Sequence, residues 1–423
     1  MQEDTKKSNK LIFPAGFLWG ASTAAHQVEG NTFNNWSEWE KQNADRLAME
    51  AKTKWRPWQQ EKFPEMFEKE NYVSGKACDH YNLYENDFDL AREGGHNAQR
   101  FSIEWSRIEP EEGEFDEKEI EHYRQVIKAL RERGIEPFVC LWHWTHPVWL
   151  EEKGGASSKE FVKYFERFAK KVSEEFSEVK FWLTINEPMS VIPNCYFSGI
   201  WPPQKRKPLL ALRVYKILSE AHKTAYVVIK KDNPEVQVGF ANIVAYFEAA
   251  NPNSFLDKMI VKVAEYFGNK KFLKMTEGKN DFLALQYYFH HKLSFFKGRV
   301  NENKKVNDLN WEIYQEGLYH LLKWMGGYKL PIYITENGLA DAQDEKRTEF
   351  IKSGLSWIYK AIVDGVDVRG YFHWSLLDNF EWDKGFWPRF GLVEVDYKTL
   401  ERKPRKSFYE YAKICKANAL EIE

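Results

Sequence analysis

Eight short apolar runs, spaced along the chain, constrain its fold more than any other feature. They occupy residues 17–22, 98–103, 137–144, 181–186, 236–241, 282–288, 332–336 and 368–374. Short continuous apolar runs read as strands buried on both faces. Helical spacing marks most of the intervals between them. Ile120, Tyr123, Ile127 and Leu130 lie on one face of a helix expected over 117–133, which stops at Gly134. Phe161, Tyr164, Phe165, Phe168 and Val172 do the same over 159–176, and 209–230 and 349–364 are two more such stretches. Strands that alternate with helices build parallel sheets. Eight such units predict an α/β fold, a (β/α)8 TIM barrel with its active site at the C-terminal mouth of the strands. The competing open, doubly wound sheet would want a glycine-rich nucleotide loop, and neither GxGxxG nor GxxxxGKS/T occurs.

No repeat, low-complexity tract or Pro/Gly/Ser linker divides the 423 residues, so 1–423 reads as a single barrel domain. Residues 1–10 are polar and are expected to be flexible. Residues 41–76 are the least regular part, expected to form an irregular excursion at the barrel mouth. The first ten residues hold no apolar signal segment, and no run of about 18 apolar residues exists. A cytoplasmic protein without a transmembrane segment is therefore expected. The 61 Lys and Arg against 63 Asp and Glu leave a net charge of −2, which gives no basic excess for nucleic acid. A surface rich in Lys and Glu fits a thermostable protein. Cys78, Cys140, Cys195 and Cys415 form no CxxC pair, so no zinc or redox site is expected. Oligomeric state has no signature here.

Aromatic residues are abundant: 17 Trp, 21 Tyr and 30 Phe. They suit both a large aromatic core and a cleft lined with flat rings. Trp55, Trp58, Phe63, Met66 and Phe67 stand together among Lys and Glu. They either pack onto the barrel or form an apolar lip that meets lipid or another hydrophobic molecule, a peripheral membrane contact.

Two carboxylates stand out. Thr184-Ile185-Asn186-Glu187-Pro188 ends the fourth run, and Ile334-Thr335-Glu336-Asn337-Gly338 ends the seventh. In a barrel both Glu side chains reach the mouth. A single strand-end Glu can equally be a helix cap or an ion-pair partner, but two at matching positions weaken that alternative. His143 alone reads as well as a satisfied barrel histidine. With His146 it lacks the third ligand that a metal site needs.

These runs, together with Phe17-Leu18-Trp19-Gly20, Gln27-Val28-Glu29-Gly30, Arg100-Phe101-Ser102-Ile103, His143-Trp144 and the stretch 374–382, resemble glycoside hydrolase family 1, the β-glucosidase and β-glycosidase family. The resemblance covers nearly the whole chain and implies a (β/α)8 barrel and a retaining, exo-acting β-glycosidase without metal or cofactor. Its small-molecule substrate would be the terminal non-reducing β-D-glucosyl residue of an O-glycoside. A β-galactosidase or β-mannosidase preference, or a membrane-associated glycosidase acting on alkyl glycosides, is the alternative. Glu187 resembles the acid/base and Glu336 the nucleophile of the double displacement. Arg100 and Tyr288 resemble the pair that orients the nucleophile and favours its ionised form. Asn186 matches the partner of the sugar 2-hydroxyl. Gln27, His143, Glu381 and Trp382 match the residues that hold the other hydroxyls, and Trp374 the ring beneath the sugar. The family's usual Asp is Thr145 here, and its usual Asn before the tyrosine pair is Gln286. The chain is short for the family, which implies trimmed mouth loops. Members acting on 6-phosphosugars tend to lack the acid at the Glu381 position, so its presence favours an unphosphorylated sugar.

Overall fold

The computed structural model describes residues 10–422. The eight runs become eight parallel strands: β1 (Leu18–Ser22), β2 (Ala98–Ser102), β3 (Glu136–Trp142), β4 (Phe181–Asn186), β5 (Gln237–Ala249), β6 (Leu283–Ser294), β7 (Ile332–Gly338) and β8 (Val368–Trp374). Each pairs with its successor, and β8 returns to β1 with Trp374 opposite Ser22, so the sheet closes. Among the described residues nine longer helices accompany it: α1 (Asn35–Lys54), α2 (His80–Glu93), α3 (Glu117–Glu132), α4 (Phe161–Glu175), α5 (Pro208–Asp232), α6 (Phe255–Glu265), α7 (Glu316–Met325), α8 (Arg347–Val363) and α9 (Lys406–Ala417). The fold is a single-domain (β/α)8 TIM barrel. The four expected helices are α3, α4, α5 and α8, each ending within two residues of the expected bounds.

Local chemistry sets these elements. Asp116 caps α3 by accepting from the backbone N–H of Lys118 and Glu119, and Gly134 takes φ +71° beyond its last turn. The stripe Phe161, Tyr164, Phe165, Phe168 and Val172 is buried, as its spacing requires. Phe138 fills the barrel interior, stacked on Phe181 with centroids 4.1 Å apart and flanked by Phe282, Tyr333 and Phe372. Phe138→Ala is expected to lower stability by about 3–5 kcal/mol, because the ring's contacts are lost and the closed barrel cannot collapse on the void. Equilibrium denaturation reads this. A loss under about 1 kcal/mol would mean the interior is not close-packed there.

Three features differ from, or add to, the sequence expectation. β5 and β6 run well past the expected 241 and 288 and stay paired out to Ala249 opposite Leu293, forming a ribbon that rises beyond the mouth. Residues 41–76, expected to be irregular, contain most of α1 and then short helical turns at Pro57–Lys62, Pro64–Phe67 and Lys69–Tyr72. The rings at 55–67 do not form an exposed lip. Phe63 and Met66 are buried, Trp55 and Phe67 are half-buried in the same cluster, and Trp55 and Phe63 pack on Trp387 at 5.0 and 4.9 Å. Trp58 alone is exposed. Packing onto the body removes more apolar surface from water than a lip would. Of the segment 1–10, residues 1–9 lie outside the described residues, and Lys10 pairs with Glu421 at the chain ends. Among the described residues no helix is long and apolar enough to cross a membrane.

Candidate active site

Residues from all eight strands, or from the turns that follow them, meet at the C-terminal mouth. Gln27 follows β1, Arg100 lies in β2, His143 and Trp144 follow β3, and Asn186 ends β4 with Glu187 next. Ile243 comes from β5, Gln286 and Tyr288 from β6, Glu336 from β7 and Trp374 from the end of β8, with Glu381 and Trp382 in the loop beyond. Nine of the ten residues singled out in the sequence line one cavity: Gln27, His143, Asn186, Glu187, Tyr288, Glu336, Trp374, Glu381 and Trp382. The tenth, Arg100, is fully buried behind it and reaches Glu336 with one guanidinium nitrogen.

The two carboxylates sit in unequal surroundings. Glu336 Oε1 accepts from Arg100 and from the Gln286 amide at 2.6 Å, and its Oε2 accepts from the Tyr288 hydroxyl at 2.8 Å. Glu187 receives one side-chain hydrogen bond, from the Ser190 hydroxyl at 2.7 Å. Burial pushes both carboxyls above the usual range. For Glu187 the nearby Glu336 charge adds to the rise and carries it far up. For Glu336 the Arg100 charge and the Tyr288 and Arg100 hydrogen bonds pull it back. Of the two, Glu187 keeps its proton to the higher pH. Glu187 also has left-handed backbone, φ +41°, as do Trp144 and Trp382 in the cavity wall. Such conformations cost about 1–3 kcal/mol each and cluster at functional sites.

A hydrogen-bonded chain fixes Asn186. Its Oδ1 accepts from Arg100 at 2.6 Å and Gln286 at 3.0 Å, so its Nδ2 faces His143 Nε2 at 3.0 Å. Burial and the Arg100 charge hold His143 well below the ordinary histidine range, so its ring is neutral. Gln286 thus reaches both Asn186 and Glu336, although the family's usual residue is shorter. Thr145, the other departure, donates to the buried Glu104 carboxylate at 2.8 Å. At the far wall, Gln27 Nε2 donates to Asn379 Oδ1 and to the Phe380 carbonyl, while Gln27 Oε1 and Glu381 Oε2 are buried without a protein partner. Burial pushes Glu381 up to about 7.

Sequence reasoning missed several wall residues. Ile243 and Phe289 belong to the ribbon, past the strand ends expected from the apolar runs. Ser190 lies three residues after Glu187 on the turn Pro188–Val191, a spacing that could have revealed it. Trp144, adjacent to His143 in a quoted motif, was not given a role. Trp201 and Trp311 come from loops with no periodicity to read.

The sequence model of Glycosyl hydrolase family 1 matches residues 9–282 and 273–420. Beta-glucosidase A of Thermotoga maritima is 32% identical over 461 aligned positions that cover 98% of this chain and 100% of that protein. The alignment is longer than the chain, so the relative carries segments that this chain lacks. Among solved structures, a beta-glycosidase from Pyrococcus horikoshii superposes with a TM-score of 0.86 at 36% identity, covering 98% of this chain and 97% of that one. The beta-glucosidase from Thermotoga maritima in complex with glucoimidazole also gives a TM-score of 0.86, at 31% identity, over 97% of this chain and 100% of that one.

Proposed function

The chain belongs to glycosyl hydrolase family 1 and is a β-glycosidase, and from that premise we propose that it releases the terminal non-reducing β-D-glucosyl residue of O-glycosides with retention of configuration. The observation that carries this reading is the pair of buried carboxylates facing one cavity, one held by three donors and the other by a single hydroxyl. Retaining glycosidases need one neutral and one ionised carboxyl. Glu336, held ionised by Arg100, Gln286 and Tyr288, attacks the anomeric carbon. Glu187 gives its proton to the leaving oxygen as that bond breaks. The product is a glycosyl ester on Glu336 and a free alcohol. Glu187, now a carboxylate, then takes a proton from water, whose oxygen attacks the same carbon and frees Glu336. Asn186, its amide orientation fixed by two donors, bonds the 2-hydroxyl. Trp374 lies beneath the sugar ring, and Gln27, His143, Glu381 and Trp382 hold its remaining hydroxyls.

The unpartnered oxygens of Gln27 and Glu381 support the sugar clamp, since buried acceptors without partners are rare and a hydroxyl-bearing ligand satisfies both. Glu381→Ser is expected to weaken transition-state binding of p-nitrophenyl β-glucoside by roughly 1.5–3 kcal/mol, the scale of a lost hydrogen bond to a charged group. The sign of its pH dependence follows. With the Glu381 carboxyl pushed up to about 7, its carboxylate is fully present only above that pH. KM of the unmodified enzyme should therefore rise as pH falls below about 7, and Glu381→Ser should flatten that limb. The test is kcat/KM at pH 8 for p-nitrophenyl β-glucoside, β-galactoside, β-mannoside and β-glucoside 6-phosphate. The glucoside should lead, and the phosphate should be poor because a second anion meets Glu381 in a dry pocket. A preference for the phosphate, or for another neutral sugar, would overturn the substrate assignment.

A further inference from the structure

Helix α6 is apolar on the side that faces water. Phe255, Met259 and Val263, with Tyr266 in the turn that continues the helix, recur at helical spacing on the face opposite Asp257, which is buried against the ribbon and accepts from the Phe295 backbone N–H at 2.9 Å. All four are exposed, Phe255 to 77%. An outward helix face is ordinarily polar. The same hydrogen bond brings the turn after β6 against the start of α6, and there Phe295 and Phe296 are exposed as well, Phe296 to 81%. The helix face forms an apolar strip, and the two exposed rings of the turn stand near its first residues. Lys258 and Lys262 border it on the helix, and Lys297 follows Phe296. All three are exposed, and among the described residues none of them pairs with a carboxylate.

We propose that this strip is a docking surface for an anionic lipid bilayer. Bulky apolar and aromatic side chains edged by unpaired lysines match the boundary between acyl chains and negative headgroups. The charges favour this occupant over a second copy of the chain, because a symmetric contact would bring two sets of unpaired lysines together. The placement carries a consequence. Ile243 and Phe289, from the same two strands that pack against α6, line the catalytic cavity, so the docking helix and the cavity wall share one ribbon. The proposal goes beyond the reading of the catalytic site and does not depend on it.

The experiment is co-sedimentation of the full chain with vesicles of phosphatidylcholine alone or mixed equally with phosphatidylglycerol. The unmodified protein should sediment with the mixed vesicles at least tenfold more tightly than with the neutral ones, and 0.5 M salt should weaken that binding. Phe255→Ser/Phe296→Ser and Lys258→Glu/Lys262→Glu should each lose at least tenfold, while their thermal unfolding and their hydrolysis of soluble substrate stay unchanged. Lack of sedimentation, equal binding to both vesicles, or full binding by the serine variant would each overturn the proposal. So would a dimer that the serine variant dissociates without any vesicle binding, since the strip would then be a contact between copies.

Discussion

Glu336→Ala is expected to lower kcat by roughly 10⁵-fold or more on every glycoside, the scale seen when a covalent nucleophile is deleted. The alanine cannot form the glycosyl ester, and nothing else in the cavity replaces it. Arg100, Gln286 and Tyr288 all converge on this carboxylate, and the loss also strands the fully buried Arg100 charge beside Asn186. The alanine variant should therefore lose some stability as well. Glu336→Gln, which keeps the volume and some of the hydrogen bonds, separates the two effects: it should fold with near-normal stability and remain inactive. Steady-state rates on p-nitrophenyl β-glucoside and on cellobiose read the first effect, and thermal unfolding the second. Glutamine activity within a hundredfold of the unmodified enzyme would remove Glu336 from the role of nucleophile.

Glu187→Ala should lower turnover by an amount that depends on the leaving group. General acid catalysis contributes about 10²–10⁴-fold, and that contribution is lost in full for alkyl glycosides, whose alcohols leave poorly without a proton. Activated aryl glycosides need little protonation, so their first step should survive. Their second step then limits, because no base activates water. Azide needs no base, so it should restore turnover and give β-glucosyl azide. The alkaline limb of the pH profile has the same origin. Glu187 works as an acid only while protonated, and burial beside Glu336 holds its proton to unusually high pH. Activity should fall as pH rises through the upper ionisation of the pair, and Glu187→Ala should abolish or move that limb. Equal losses for aryl and alkyl substrates without azide rescue would assign the proton transfer to another group.

The barrel was legible in the sequence because its strands are covered on both faces, so a run such as 181–186 is apolar but for Thr184 and the strand-end Asn186. The ribbon was not, because beyond the mouth β5 and β6 lose one covering layer, and Asn242, Glu248, His290, His291 and Lys292 break the apolar pattern. α1 was partly hidden because much of its buried face is Ala44, Ala48 and Ala51 among Lys and Glu, which gives weak periodicity. At the site, residues in short motifs at strand ends could be singled out one by one. The wall supplied by Trp201 and Trp311 could not, since loops bring these rings in from places that no repeat distance connects. Gln286 lay between these cases. Its position was visible, and its reach to both Asn186 and Glu336 depends on where β6 places its longer side chain.

The central claim is a covalent glycosyl-enzyme on Glu336. Incubation with 2-deoxy-2-fluoro-β-D-glucosyl fluoride tests it most directly, because the fluorine slows the second step while the good leaving group keeps the first one fast. Mass spectrometry of the digested protein should find one fluoroglucosyl unit, attached to Glu336 in the peptide that contains Ile334-Thr335-Glu336-Asn337-Gly338. Activity should be lost in step with labelling and should return slowly as the ester turns over. An adduct on any other residue, or inactivation without an adduct, would contradict the account.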